Sequence, residues 1–390
     1  MQYNFDEIID RSNTDCVKWD KMKALFGRDN LIPLWVADMD FKSPPAIIEA
    51  LEERVAHGVF GYTLPSEEYT RSIVNWLDKH HQWKVDSHHI NFVPGVVKGF
   101  AFAIDEFTEK GDKIIIQPPV YHPFRIVTRS LGREVVNNPL LLENGRYRMD
   151  FDGLRAIASD EKCKMLILCS PHNPGGRVWS ADELKELADI CYRNNILVVS
   201  DEIHSDMALA SHRHIPFARV SSESEAISLT LMAPSKTFNI AGIVSSFAVI
   251  PNKEIRERYL AYLEPRELQQ GTLFAFAATR AAYEECDDWL RQMLEYVEEN
   301  VRFVDRFLRE HIPSIKAIIP EASFLVWLDC RQLNLSQRDL VSLFVNKAGL
   351  ALNDGTIFGR EGEGFMRLNV GTSRRILEQA LNNLKNAVGE

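Results

Sequence analysis

The sequence lacks the features of a nucleic-acid, membrane or secreted protein. Basic residues are outnumbered: 45 Lys and Arg against 55 Asp and Glu give a formal net charge of −10. A nucleic-acid partner calls for a clustered basic surface, so none is expected. No apolar run approaches the ~18 residues of a spanning helix, so no membrane role is expected. The opening M-Q-Y-N-F-D-E-I-I-D has no basic start and no apolar stretch behind it. A secretory signal is therefore not expected, and a cytoplasmic location is. Cysteine is sparse. Cys16, Cys163, Cys169, Cys191, Cys286 and Cys330 are scattered without a C-x-x-C pair, which reads as reduced thiols. Metal-ligand spacing is missing too. His80-His81 and His88-His89 are adjacent pairs, not ligands spaced along one helix face, so no metal is expected. There is no long low-complexity linker and no internal repeat.

What is present is a βα rhythm in a chain of 390 residues, more than one core usually serves. "KIIIQPP" (113–119), "KMLILCSP" (164–171), "NILVVSDE" (195–202) and "AISLTLMAPS" (226–235) read as strands. They are continuously apolar rather than alternating, as strands covered on both faces are. "SADELKELADICYRNN" (180–195) lies between two of them. Ser180 and Glu183 make a capping-box signature, and Leu184, Leu187, Ala188 and Cys191 one apolar face. The fold class is therefore α/β. A large, doubly wound, mostly parallel sheet domain is expected over 46–284, with a smaller α+β domain from 1–45 and 285–390. In the smaller part the pattern predicts a long helix over 287–311 and strands near 315–320 and 323–330. A helix near 336–348, a strand over 364–370 and a last helix follow.

Ligands of open parallel sheets bind beyond the carboxyl ends of the strands. There stand Asn173 in S-P-H-N-P-G-G, Asp201 in D-E-I-H, Lys236 in A-P-S-K, Gly95 opening a helix, and Tyr121 after P-P-V. A lysine alone is usually a surface residue. At this rim it can be the imine partner of a carbonyl cofactor. A carboxylate can hold a pyridinium nitrogen protonated. An asparagine can donate to a phenolate oxygen, an aromatic can stack, and a glycine-opened helix can cradle a phosphate. Pyridoxal 5′-phosphate uses all five.

These stretches, with "LWVADMDF" (34–41), "GVFGYT" (58–63), "PPVYHPF" (118–124), "SPHNPGGRVW" (170–179), "SDEIHSDM" (200–207), "APSKTFNIAG" (233–242) and "RLNVGTSR" (367–374), carry a resemblance over nearly the whole chain. The chain resembles the fold-type-I pyridoxal-phosphate enzymes of the class I/II aminotransferase superfamily. More narrowly, it resembles the PatB/MalY group of cystathionine β-lyase-like C–S lyases. The resemblance implies that Lys236 carries the cofactor and, once released, acts as the base, and that Tyr121 stacks on the ring. It implies Asp201 at the ring nitrogen, Asn173 at the ring oxygen and the substrate carboxylate, and His204 near that oxygen, where many relatives have tyrosine. Backbone donors of Gly95, Val96 and Val97 and the Ser235 hydroxyl would hold the phosphate. Tyr62 would reach the phosphate of a neighbouring subunit, which makes a homodimer with shared sites the expected assembly. Arg367 would grip the substrate α-carboxylate, with Val36 and Ala37 lining the substrate side. Trp35 and Asp38 are read as structural.

The same cofactor shell serves two reactions on an amino-acid substrate. Elimination of a β-thiolate from cystathionine or another S-substituted cysteine gives pyruvate, ammonia and a thiol. Transamination to a 2-oxo acid is the alternative, and a pyridoxal-phosphate-binding regulator without useful turnover is a third. Elimination is preferred on the group resemblance and because no second arginine for a dicarboxylate stands out. Arg125, Arg129 and Arg177 hold no motif position that marks them for such a carboxylate.

Overall fold

Seven strands make the main sheet: β1 (Ile90–Val93), β2 (Lys113–Ile116), β3 (Glu134–Asn137), β4 (Cys163–Cys169), β5 (Leu197–Asp201), β6 (Ser228–Met232) and β7 (Ser246–Val249). They are seen in a computed structural model that describes residues 1–389. Their spatial order is β1-β7-β6-β5-β4-β2-β3. The pairs β2–β3, β2–β4, β4–β5 and β5–β6 are parallel, and β7 runs antiparallel to both its neighbours. Both faces are covered. All of β6 and almost all of β4 and β5 are buried, which is why these strands read as continuous apolar runs.

Register decides where the loops leave the sheet. Cys169 pairs with Asp201, and Asp201 pairs with Leu231, so three central strands end at one level. The segments carrying Asn173, Asp201 and Lys236 therefore emerge on one rim. Helix α1 (Val96–Phe107) starts directly after β1, with Gly95 at φ 114 as its N-cap. Its Gly99 lets it lie close on the sheet, because a Cβ there would stand 2.7 Å from Leu231 Cδ2. Helix α2 (Ala181–Arg193) has the expected Ser180–Glu183 capping box.

A second sheet holds β8 (Lys316–Ile318), β9 (Leu325–Asp329), β10 (Asn353–Asp354) and β11 (Phe365–Asn369), ordered β8-β9-β11-β10 and antiparallel throughout. Helices α3 (Asp287–His311) and α4 (Arg374–Val388) pack beside it. Along α3 the buried Trp289, Met293, Val297, Val301, Val304 and Leu308 recur at helical spacing. The helix expected over 336–348 is not uniform. Gln337–Ser342 is α-helical and Leu343–Lys347 widens into a π turn. Leu343, Phe344 and Val345 are all buried there.

The first residues pack on this second sheet's helices. Phe5 makes edge contacts with Phe41 and Trp289, at 5.1 and 5.7 Å between centroids. Ile32–Pro33 pairs in parallel with Leu350–Ala351. The strap 34–41 is clamped from one side by Lys18, a wholly buried amine 2.9 Å from Asp40, and by Arg11, 2.7 Å from Asp38. Asn369 clamps it from the other side, donating to the carbonyls of Val36 and Asp38. Arg177 also finds its place here. It is buried, pairs with Glu321 at 2.7 Å and Glu183 at 2.9 Å, and so ties the N-P-G-G turn to α2 and to the loop before β9.

Candidate active site

A cavity of about 550 Å³ opens at the carboxyl edge of the main sheet. Every residue expected to touch cofactor or substrate lines it, except Tyr62. Tyr62 is fully exposed on its own chain and lies outside this cavity. So do Asp86, His88 and His89, whose donor atoms come within 4.8 Å of one another at the approach to β1.

Lys236 follows β6 and turns back under the strap, where Nζ donates to the Ala37 carbonyl at 2.6 Å. Burial pulls its ammonium down from 10.5 to about 8, so a neutral, nucleophilic amine is accessible near neutral pH. Asp201, the last residue of β5, is buried and accepts one protein hydrogen bond, 3.2 Å from the Ile203 N–H. Burial raises its carboxyl from 3.8 to about 7, a rise that the nearby Lys236 charge only partly offsets, and no cation pairs with it directly. Asn173 Oδ1 accepts from Arg367 Nη1 at 3.0 Å, and among the described residues its Nδ2 donates to no protein group. His204 is buried with an unpartnered Nδ1, and burial lowers it to about 3, so it is neutral. Tyr121 borders the cavity with its phenol pushed up to about 12 by burial.

Arg367 sits mid-strand in β11, opposite Trp327 and Asn353. It is 5% exposed, yet among the described residues no carboxylate lies within 4.0 Å of it. Its bonds go to neutral acceptors: Asn173, the Trp35 carbonyl at 2.9 Å and Asn353 Oδ1 at 2.6 Å. Nε is buried with no partner at all. Burial lowers this guanidinium from 12.5 to about 10. A buried, uncompensated cation with a free donor is a built site for a carboxylate.

Pyridoxal 5′-phosphate fits these groups. The uncompensated Asp201 carboxylate matches a cationic ring nitrogen, the Lys236 amine a carbonyl, and the Asn173 amide a ring oxygen. The α1 N-terminus has no cap from its own N-cap side chain, which leaves the Val96 and Val97 N–H groups for a phosphate, with Ser235 beside them; the Gly95 N–H, expected to join them, is taken up within the protein. Adding a side chain at Gly95 would be strained at φ 114.

Other residues of the wall had not stood out in the sequence. Trp35, read there as structural, lines the cavity and offers its carbonyl to Arg367. Ser246 accepts from the Gly95 N–H at 2.8 Å and donates to the Val93 carbonyl, which sets the phosphate-side turn. It lies on the antiparallel strand, where the strand-end rule does not look. Cys169, Ile203 and Asn353 also line the site. Cys169 ends β4, so the same rule could have found it.

The raised Asp201 carboxyl has a consequence for stability. Between pH 4 and 7 the folded, cofactor-free protein keeps a proton that the unfolded chain releases, so stability falls as pH rises through that window. Asp201→Asn removes the penalty. The cofactor-free variant should be more stable than its parent at pH 8, by on the order of a few kcal/mol, and so melt higher, with the gap closing toward pH 4. Cofactor should reverse the order, because only Asp201 pairs with a cationic ring. Melting curves with and without cofactor at both pH values check this; equal curves would mean the carboxylate is solvated.

A buried amine, an uncompensated carboxylate and a carboxylate-binding arginine on one sheet rim define an enzyme that joins an amino acid to a carbonyl cofactor. The comparison with known proteins gives the family: the aminotransferase class I and II model matches residues 29–384, and the chain belongs to that family. Within it, the chain is 43% identical to cystathionine beta-lyase PatB of Bacillus subtilis (strain 168), over 99% of this chain and 100% of that protein. It is 34% identical to MalY of Escherichia coli (strain K12), over 99% of each. Cystalysin from Treponema denticola, solved with pyridoxal 5′-phosphate, superposes with a TM-score of 0.97 at 36% identity, over 100% of this chain and 99% of that one.

Proposed function

We propose that this chain is a pyridoxal-phosphate-dependent C–S β-lyase that cleaves cystathionine or a related S-substituted cysteine to pyruvate, ammonia and a thiol. The observation that carries the amino-acid substrate is Arg367, a buried guanidinium with no acidic partner and a free Nε. The relatives named cystathionine β-lyase and cystalysin support the reaction. When bound, the cofactor supplies an electron sink for negative charge at the substrate Cα. Asp201 keeps the ring nitrogen charged, Asn173 donates to the ring oxygen, and Tyr121 packs on the ring. Arg367 holds the α-carboxylate and so orients the Cα–H toward Lys236. Lys236, with its lowered basicity, takes that proton and can return it to the departing sulfur.

The test is pyruvate release from cystathionine with no 2-oxo acid present, set against aspartate–2-oxoglutarate exchange in the same buffer. Acceptor-independent pyruvate is expected, with exchange at least roughly tenfold slower in kcat/KM. Among the described residues the cavity walls hold no arginine besides Arg367, so nothing equivalent receives a second carboxylate beside Cβ. Fast exchange without such pyruvate would make the chain an aminotransferase.

The proposal includes a homodimer. Val59, Phe60, Tyr62 and Leu64 expose an apolar segment that one chain leaves uncovered, and it suits a second copy. Tyr62 would then complete the partner's phosphate site. Mixing Tyr62→Phe with Lys236→Ala subunits should return part of the lost activity, because one site of each heterodimer carries neither change. No recovery despite proven subunit exchange would place Tyr62 outside the site.

A further inference from the structure

A second, smaller cavity of about 170 Å³ adjoins the first, and Tyr121 and His122 border both. Its far side carries Arg125, Arg129 and Arg360 with one acid, Glu361. Arg360 already pairs with Glu361 at 3.3 Å. Arg125 is half-buried and its one hydrogen bond goes to a neutral acceptor, the Ile357 carbonyl, at 3.3 Å. Among the described residues neither Arg125 nor Arg129 has a carboxylate within 4.0 Å. The two stand four residues apart on the helix Pro123–Ser130, so they share one face. His122 stands between the cavities. It lines both, so the α-carboxylate site and the side cavity meet at this imidazole, which burial, Arg367 and Arg125 all hold below its ordinary value. Its Nδ1 is buried without a partner, and its lowered basicity adds no competing cation at this shared wall.

We propose that the side cavity is the subsite for the distal end of the substrate's sulfur substituent, and that it takes a carboxylate, held chiefly by Arg125 and more weakly by the exposed Arg129. The inference rests on the elimination reading for naming that substituent as the leaving group. It selects substrates whose departing thiol ends in an acid, as homocysteine does, over those that end in a hydrocarbon. Aspartate gains nothing from it, because its second carboxylate sits on Cβ itself, inside the main cavity.

Three S-substituted cysteines isolate the contact: cystathionine, S-(3-carboxypropyl)-L-cysteine, which keeps the distal carboxylate alone, and S-butyl-L-cysteine, which lacks it. For the holoenzyme, kcat/KM should be about tenfold higher with each acid than with the butyl compound, the size of one charge-assisted hydrogen bond. Arg125→Gln should erase that preference through KM, with kcat and the butyl compound little changed. Arg129→Gln, at a more solvated position, should reduce it by roughly threefold. Equal losses on all three compounds would make Arg125 a structural residue of the wall, and an unchanged preference would remove it from the site; either overturns the proposal. Calorimetric titration of cofactor-loaded Lys236→Ala with the same compounds gives the preference as a ratio of Kd without turnover. If the parent enzyme releases no pyruvate from any of them, the elimination reading fails, and this ratio, with Arg125 intact and with Arg125→Gln, still decides the subsite.

Discussion

Lys236→Ala should lower turnover by at least about 10³-fold while leaving the protein folded. The change removes two functions at once, the covalent hold on the cofactor and the base at Cα, and a positioned base alone is worth about 10²–10⁴. The structural cost is small by comparison. The Ala37 carbonyl loses its 2.6 Å partner, about 1–3 kcal/mol if nothing replaces it. Against this, an amine that burial strips of its proton already at about pH 8 is no longer desolvated. The lysine side chain lines an open cavity, so no closed void is created. Two measurements check the result. Acceptor-independent pyruvate should fall to background while the melting temperature moves by only a few degrees. Borohydride should leave a pyridoxyl mass on the peptide holding residue 236 in the parent and none in the variant. Lys98, also on the cavity wall but exposed, is the internal control: a tag there, or turnover within tenfold of the parent, would remove Lys236 from its role.

Arg367 should give the second largest effect, on kcat/KM. A guanidinium can meet a carboxylate with two N–H donors, and the protein leaves the Nε hydrogen and one Nη1 hydrogen of Arg367 free. Arg367→Lys keeps a charge but loses the fork, so kcat/KM should fall roughly 10²-fold. Arg367→Met loses both, roughly 10³-fold, carried mainly by KM. The methionine variant also strips a donor from Asn173, Asn353 and the Trp35 carbonyl, so its melting temperature must be measured beside its kinetics. A parent-like KM for the amino acid in a folded lysine variant would show that the α-carboxylate is held elsewhere.

Arg177 and Arg367 mark how far composition and motif reach. Both are single arginines in the sequence and both are buried, but they do opposite things. Arg177 meets Glu183 and Glu321, and its charge is spent on joining a turn to two distant segments. Arg367 meets only neutral acceptors and is left for a ligand. The partners that decide the difference are mostly remote: Glu321 is 144 positions from Arg177, although Glu183 is only six away, and Asn173 is 194 from Arg367. The same holds for the strap 34–41. Its apolar and acidic residues are plain in the sequence, but that Ala37 presents a carbonyl to Lys236 depends on Lys18, Arg11 and Asn369 holding it from both sides.

Local chemistry alone was enough for the α/β class, the capping box of α2, the 25-residue helix α3 and the set of groups at the strand ends. Each depends on residues a few positions apart: apolar runs for strands buried on both faces, a 3.6-residue period, a serine three before a glutamate. The tertiary structure decided what depends on register and on distant partners. The alignment of Cys169, Asp201 and Leu231 brings three loops to one rim, and β11 carries Arg367 in from the second sheet to meet them. Only burial, a property of the whole fold, turns an ordinary aspartate and lysine into a carboxyl near 7 and an ammonium near 8. Removing water raises the cost of charge on each, and no stretch of sequence records how much water is removed.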